Sequence, residues 1–131
     1  MSERLARDFT HLRVYQRACG IAAQIFETTR SWPREEAYAF THQVRRASRS
    51  IGAQIAEAWG KRRYPRHFLS KLTDADAEQL EARHWIKVAL DCGYLNAEEA
   101  SEILEELARI GRMLNSMKRK SRQFCGGSPG L

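Results

Sequence analysis

Two short runs of cations offer this chain's most definite chemistry. Lys61-Arg62-Arg63-Tyr64-Pro65-Arg66 and Lys118-Arg119-Lys120-Ser121-Arg122 each crowd positive charge into little more than a helical turn. Lys and Arg so spaced hold phosphates and release condensed counterions. Tyr64 and His67, in and beside the first run, offer rings on which bases stack. The competing reading is that basic helix ends complement the macrodipole and keep the chain in solution. A third cluster, Arg45-Arg46-Ala47-Ser48-Arg49, lies within one turn of apolar Val44 and Ala47. At least one of Arg45 and Arg46 must therefore flank a core. Glu78 and Glu81 lie at a matching level one segment later. Structural ion pairs among Arg45, Arg46, Glu78 and Glu81, within or between subunits, are expected, because cations near a core need partners. An exposed phosphate grip is the alternative.

Other chemistry has less support. Glu81-Ala-Arg-His84 has the Glu-x-x-His spacing of metal sites in helical bundles, but such sites draw the motif from two helices and it occurs here once. No HExxH pattern appears, and Ser48 and Ser50 sit in a helical pattern with no glycine elbow. Cys19, Cys92 and Cys125 are odd in number and widely spaced, without a CxxC pair. That argues against a disulfide framework or a zinc site and for reduced thiols. No catalytic residue, metal or cofactor is expected.

The elements that must position these groups follow from composition and period. The 131 residues are 43% apolar and 29% charged, with a net charge of +6. That composition fits one globular domain and excludes wholesale disorder. No apolar run approaches the roughly 18–20 residues of a membrane span, and Met1 to Asp8 holds no apolar signal region. A cytoplasmic protein without a membrane partner is expected.

Four segments carry helical period. Val14, Ala18, Ile21, Ala22 and Ile25 line one face of a helix from about Thr10 to Arg30. After Ser31-Trp32-Pro33, a second helix spans about Arg34 to Trp59, with Phe40, Val44, Ala47, Ile51, Ile55 and Ala58 on its stripe. Gly60 suits a left-handed stop there. A third helix, from about Pro65 to Cys92, turns Phe68, Leu72, Ala75, Ala82, Ile86 and Ala89 inward. Gly93 ends it, and Asn96 with Glu99 forms a capping-box pattern for a fourth helix, about Ala97 to Ser121. Strand signals are weak. Four long helices on short turns predict an all-α, antiparallel up-down-up-down four-helix bundle over residues 1–122, with a flexible tail over 123–131. In that topology the second-to-third turn and the end of the fourth helix share one end. The two basic runs would converge there, while the third and fourth helices are net acidic.

Phe9-x-x-Leu12-x-Val14, Pro33-x-Glu35-Glu36-x-Tyr38, Gln43-x-Arg45-Arg46-Ala47-x-x-Ser50-Ile51-x-x-x-Ile55-Ala56-Glu57 and Gly93-Tyr94-Leu95 follow one another in order. With these motifs the chain, over roughly residues 8–121, resembles the bacterial four-helix-bundle family of proteins encoded within intervening sequences of 23S ribosomal RNA genes. It is also similar to the accessory variability protein of diversity-generating retroelements. Gln54, Ala58 and Ala77-Glu78 depart from residues common in that family. The resemblance implies a homo-oligomer, usually a pentameric ring, and no catalysis. Its retroelement relatives are basic, bind nucleic acid and assist a reverse transcriptase. The sequence adds its own motive for assembly: Tyr38, Ala56 and Trp59 widen the second helix's apolar surface beyond one stripe. The expected function is a nucleic-acid-binding accessory protein, contacting RNA or DNA through Lys61, Arg62, Arg63, Arg66, Lys118, Arg119, Lys120 and Arg122. The alternative is a protein–protein interaction scaffold.

Overall fold

The apolar stripes become the interior of a helical bundle. The computed structural model describes residues 6–126, which are helix and turn with no strand among them. A 3-10 turn at Phe9–His11 leads into α1 (Arg13–Thr29). Then follow α2 (His42–Gly60), α3 (Pro65–Asp91), α4 (Ala97–Arg119) and the single-turn α5 (Ser121–Phe124). α1 packs on α2, α2 on α3, α3 on α4, and α4 on α1. One core joins Ile21 and Ile25 of α1, Ile51 and Ile55 of α2, Phe68, Leu72 and Ile86 of α3, and Ile103, Leu107 and Leu114 of α4. Each such side chain contributes about 1.5–3 kcal/mol through burial.

Helix ends follow local chemistry. Asp8 accepts from the Thr10 amide and hydroxyl, capping the 3-10 turn, and α1 itself starts only at Arg13. Asn96 and Glu99 exchange reciprocal bonds at the start of α4. Gly93 ends the α3 region at φ +76°. Gly60 takes no such conformation. It is the last residue of α2, and Arg62 Nε donates to the Trp59 carbonyl at 2.8 Å instead.

The second helix is not wound uniformly from Arg34, as its period had implied. Arg34–Glu36 is a 3-10 turn and Ala37–Thr41 a π turn, in which the His42 amide reaches back to the Ala37 carbonyl. The wider turn buries Phe40 and Thr41 side by side. Phe40 then stacks on Trp32 at 5.2 Å and meets Trp85 edge-on and Tyr94 at a tilt. Trp32, Phe40, Trp85 and Tyr94 thus form one four-ring cluster at this turn, and Phe40 keeps its place on the buried stripe.

The described chain stays packed past the boundary expected at 122. Phe124 stacks on Phe68 with centroids 6.0 Å apart, and Cys125 is buried. Burial pushes the Cys125 thiol up in pKa, with Arg62 pulling weakly the other way. Residues 123–126 of the tail expected from 123 are thus tied to the bundle through Phe124 and Cys125, and the rest of that tail, residues 127–131, lies outside the described set. Trp59 is also buried within the chain, so it adds nothing to an outer apolar face, whereas Tyr38 is 92% exposed.

Candidate functional site

Two features of the sequence place the first basic run. Pro65 begins α3, where its missing amide proton costs nothing, and the α2–α3 turn presents the residues before it. Lys61 closes α2, and the Arg62 guanidinium lies 3.6 Å from the Trp59 ring centroid. Arg62 is thus partly committed to holding the helix end. Arg63 and Arg66 are exposed. With Tyr64, Pro65 and His67 they line an open hollow of about 400 Å³, in which the Tyr64 and His67 rings lie 5.8 Å apart. Cations and rings share this hollow, the combination that single-stranded nucleic acid uses.

The second run belongs to the end of α4 and to α5. Lys118 and Arg119 occupy the last turn of α4, where the macrodipole favours positive charge. Arg119, Lys120 and Arg122 are exposed. The Phe124–Phe68 stack ties this segment to the first turn of α3, next to Arg66 and His67. The two runs therefore meet at one end of the molecule.

Arg45 and Arg46 diverge. Arg46 Nη1 lies 3.1 Å from Glu78, Nη2 bonds to Glu81, and Nε reaches Gln43. Glu81 also accepts from Trp85 Nε1 at 3.0 Å. The Trp85 bond foremost, then Arg46, holds the Glu81 carboxyl below its ordinary value; the bond to Glu81 raises Arg46. Arg45 does not join the ion pairs expected for it. It turns toward α1, donates to Thr29 Oγ1 at 2.8 Å, and lies 4.6 Å from the Phe26 centroid. Helix geometry explains the split: residues 45 and 46 are about 100° apart around the axis, so they face different neighbours. Glu81 is engaged by Arg46 and Trp85, and among the described residues no group of three or more His, Cys, Asp or Glu is placed to hold a metal.

Sequence reasoning missed the Phe26 platform. Arg30, Arg45 and Arg49 all bring guanidinium carbons within 6.0 Å of that ring. The signal available was the i, i+4 pair Arg45/Arg49, read as one cluster with Arg46 rather than as a separate face.

The sequence matches the family described as 23S rRNA-intervening sequence protein over residues 10–116, from before α1 into the last turns of α4. The chain belongs to that family. A solved structure with the same fold is a protein of unknown function from the S23 ribosomal protein family of Bacteroides thetaiotaomicron. It superposes with a TM-score of 0.71 at 23% identity, covering 81% of this chain and 98% of that one. No curated protein matches. Among the described residues of this 23S rRNA-intervening sequence protein, no helix is long and apolar enough to cross a membrane.

Proposed function

We propose that this chain is a non-enzymatic, cytoplasmic accessory protein that binds nucleic acid as a homo-oligomer. The observation that carries the reading is the Phe68–Phe124 stack, which joins Lys61–Arg66 and Lys118–Arg122 into one basic end. The helices take the antiparallel up-down-up-down order; the contact of α5 with the start of α3, and of Tyr94 with Trp32 after α1, supports it. Five subunits come from the resemblance to the family, and a reverse transcriptase as protein partner from its retroelement relatives. A ring repeats the basic end, and weak contacts then add through avidity. The phosphate contacts carry no base code, so binding is sequence-independent.

The test is fluorescence anisotropy with single-stranded RNA and DNA across a salt series, with light scattering for mass. If about four phosphates are engaged, log affinity falls with log salt at a slope near −3. No binding at low salt overturns the reading. A monomer mass in dilute physiological buffer overturns the assembly.

A further inference from the structure

A shallow groove of about 460 Å³ runs along the outer face of α2, from Ala37 in the π turn to Ala53. At 1.5 Å per residue it is about 24 Å long, several times the size of one phosphate. Three arginines, Arg45, Arg46 and Arg49, line it together with His42, and no acidic residue does.

These cations differ in what they have left to give. The Arg46 fork is taken by Glu78, Glu81 and Gln43. Arg45 uses only Nε, on Thr29, and no carboxylate among the described residues pairs with it. Arg49 is exposed; its guanidinium lies 5.4 Å from the Phe26 centroid, likewise without a carboxylate among the described residues. Phe26 thus holds two arginines in place while leaving their charge uncompensated. Arginine so pre-organised loses less entropy when it grips a phosphate oxygen. A second observation is independent of charge. Thr41 is 7% exposed, lines the groove, and its hydroxyl has no hydrogen-bond partner. Buried hydroxyls are ordinarily satisfied, and this one, its oxygen itself closed off from solvent, is left over in the wall of the groove. Ser50 adds another hydroxyl to the lining. At the groove's start, beside Ala37, the Tyr38 ring stands 92% exposed. Such a ring is a stacking surface for a base.

We infer that the α2 groove binds the sugar-phosphate backbone of a single nucleic-acid strand, with Arg45 and Arg49 on phosphates and Tyr38 under a base. The inference rests on the nucleic-acid reading above and adds a site separate from the basic end. Charge complementarity selects an anionic occupant, and groove length selects a strand over a free phosphate. Arg45 and Arg49 stand about 6 Å apart along the helix, one turn. The groove's far end points along α2 toward Lys61. Glu57 interrupts that path, and Lys71 pairs with it at 3.1 Å.

The test uses the full chain and a fluorescent single-stranded oligonucleotide. Arg49→Glu removes the most exposed groove cation and Tyr38→Ala the ring; Arg63→Glu/Arg66→Glu removes the basic end. Arg49→Glu is expected to weaken binding about tenfold, with the melt lowered no further than the loss of one exposed cation–π contact allows. Arg49→Gln is expected to lower the salt slope by about 0.7, one single-strand phosphate. Ultraviolet cross-linking is expected to label Tyr38 and to lose that label in Arg49→Glu. If the wild type binds while Arg49→Glu and Tyr38→Ala bind equally well, the groove assignment falls and the nucleic-acid reading stands. If the wild type does not bind, both fall. If Arg49→Glu changes the oligomer mass instead of the affinity, the groove is an interface between copies of this chain, and the inference is overturned.

Discussion

The Tyr94 hydroxyl donates to Glu36 Oε2 at 2.6 Å, joining the turn before α4 to the 3-10 turn before α2. The same Tyr94 ring packs on Trp32 and Phe40, so a polar tie seals the aromatic end of the bundle. Hydrogen bonding to the carboxylate pushes the Tyr94 phenol up to about 12. Its folded value lies above its ordinary value of 10.0. The stabilisation is therefore complete below pH 10 and is lost as pH rises through about 12. Subtracting the alkaline absorbance titration of Tyr94→Phe from that of the wild type isolates one phenol with a midpoint near 12. A midpoint near 10 contradicts the bond.

Arg46, Glu78, Glu81 and Trp85 form a half-buried network between α2 and α3. Arg46→Met leaves two carboxylates without their cation. Discounted for the partial exposure of Arg46, the cost is about 1–2 kcal/mol, read from urea unfolding at neutral pH. Glu81 has a lowered folded pKa, so its contribution is present above its ordinary 4.5 and is lost as pH falls through the lowered value. Glu81→Gln removes that dependence, and its stability falls less steeply than the wild type's below pH 4.5. Identical acid limbs contradict the network.

Legibility in the sequence followed how local the physics was. Stripes such as Val44, Ala47, Ile51 and Ile55 are set by period alone, and all are buried. The Asn96–Glu99 box is a four-residue affair and formed as read. The π turn was not legible, because it answers to Trp32, Trp85 and Tyr94, which come from other segments. The partner of Arg45 was misread for a related reason. Charge suggested a carboxylate, whereas α1 offers it a hydroxyl and a ring. The burial of Cys125 depends on Phe124 meeting Phe68, a contact that no period encodes. Within the basic end, spacing identified the cations but did not separate Arg62, bound to Trp59, from exposed Arg63 and Arg66.

Gly111 of α4 faces Gln79 of α3, which is 3% exposed and donates to Asp76 at 2.8 Å. A Cβ at position 111 would lie 2.7 Å from Gln79 Nε2 and 3.3 Å from Asp76 Oδ1. Gly111→Ala should destabilise by up to about 1 kcal/mol, because the Gln79 amide must shift and disturb its bond to Asp76, despite alanine's better helix propensity. Adding Gln79→Ala should recover part of that loss, because the two sites share one contact. Additive losses in thermal unfolding contradict the steric account.

Arg62 and its exposed neighbours should separate stability from binding. Arg62 lies over the Trp59 ring and donates to the Trp59 carbonyl, so Arg62→Glu loses a cation–π contact and a helix-end bond. It also sets a negative charge at the C-terminus of α2, where the macrodipole opposes it. The expected cost is about 1–2 kcal/mol. Arg63 and Arg66 have no such role, and Arg63→Glu/Arg66→Glu should leave unfolding within about 0.5 kcal/mol of the wild type. That double variant should still weaken single-strand binding. Its salt slope should fall by about 1.4, two phosphates at roughly 0.7 each. Unchanged affinity and slope would return Arg63 and Arg66 to the role of solvated helix-end charges. A melt lowered as far as that of Arg62→Glu would mean that the whole turn, and not Arg62 alone, holds α2 against α3.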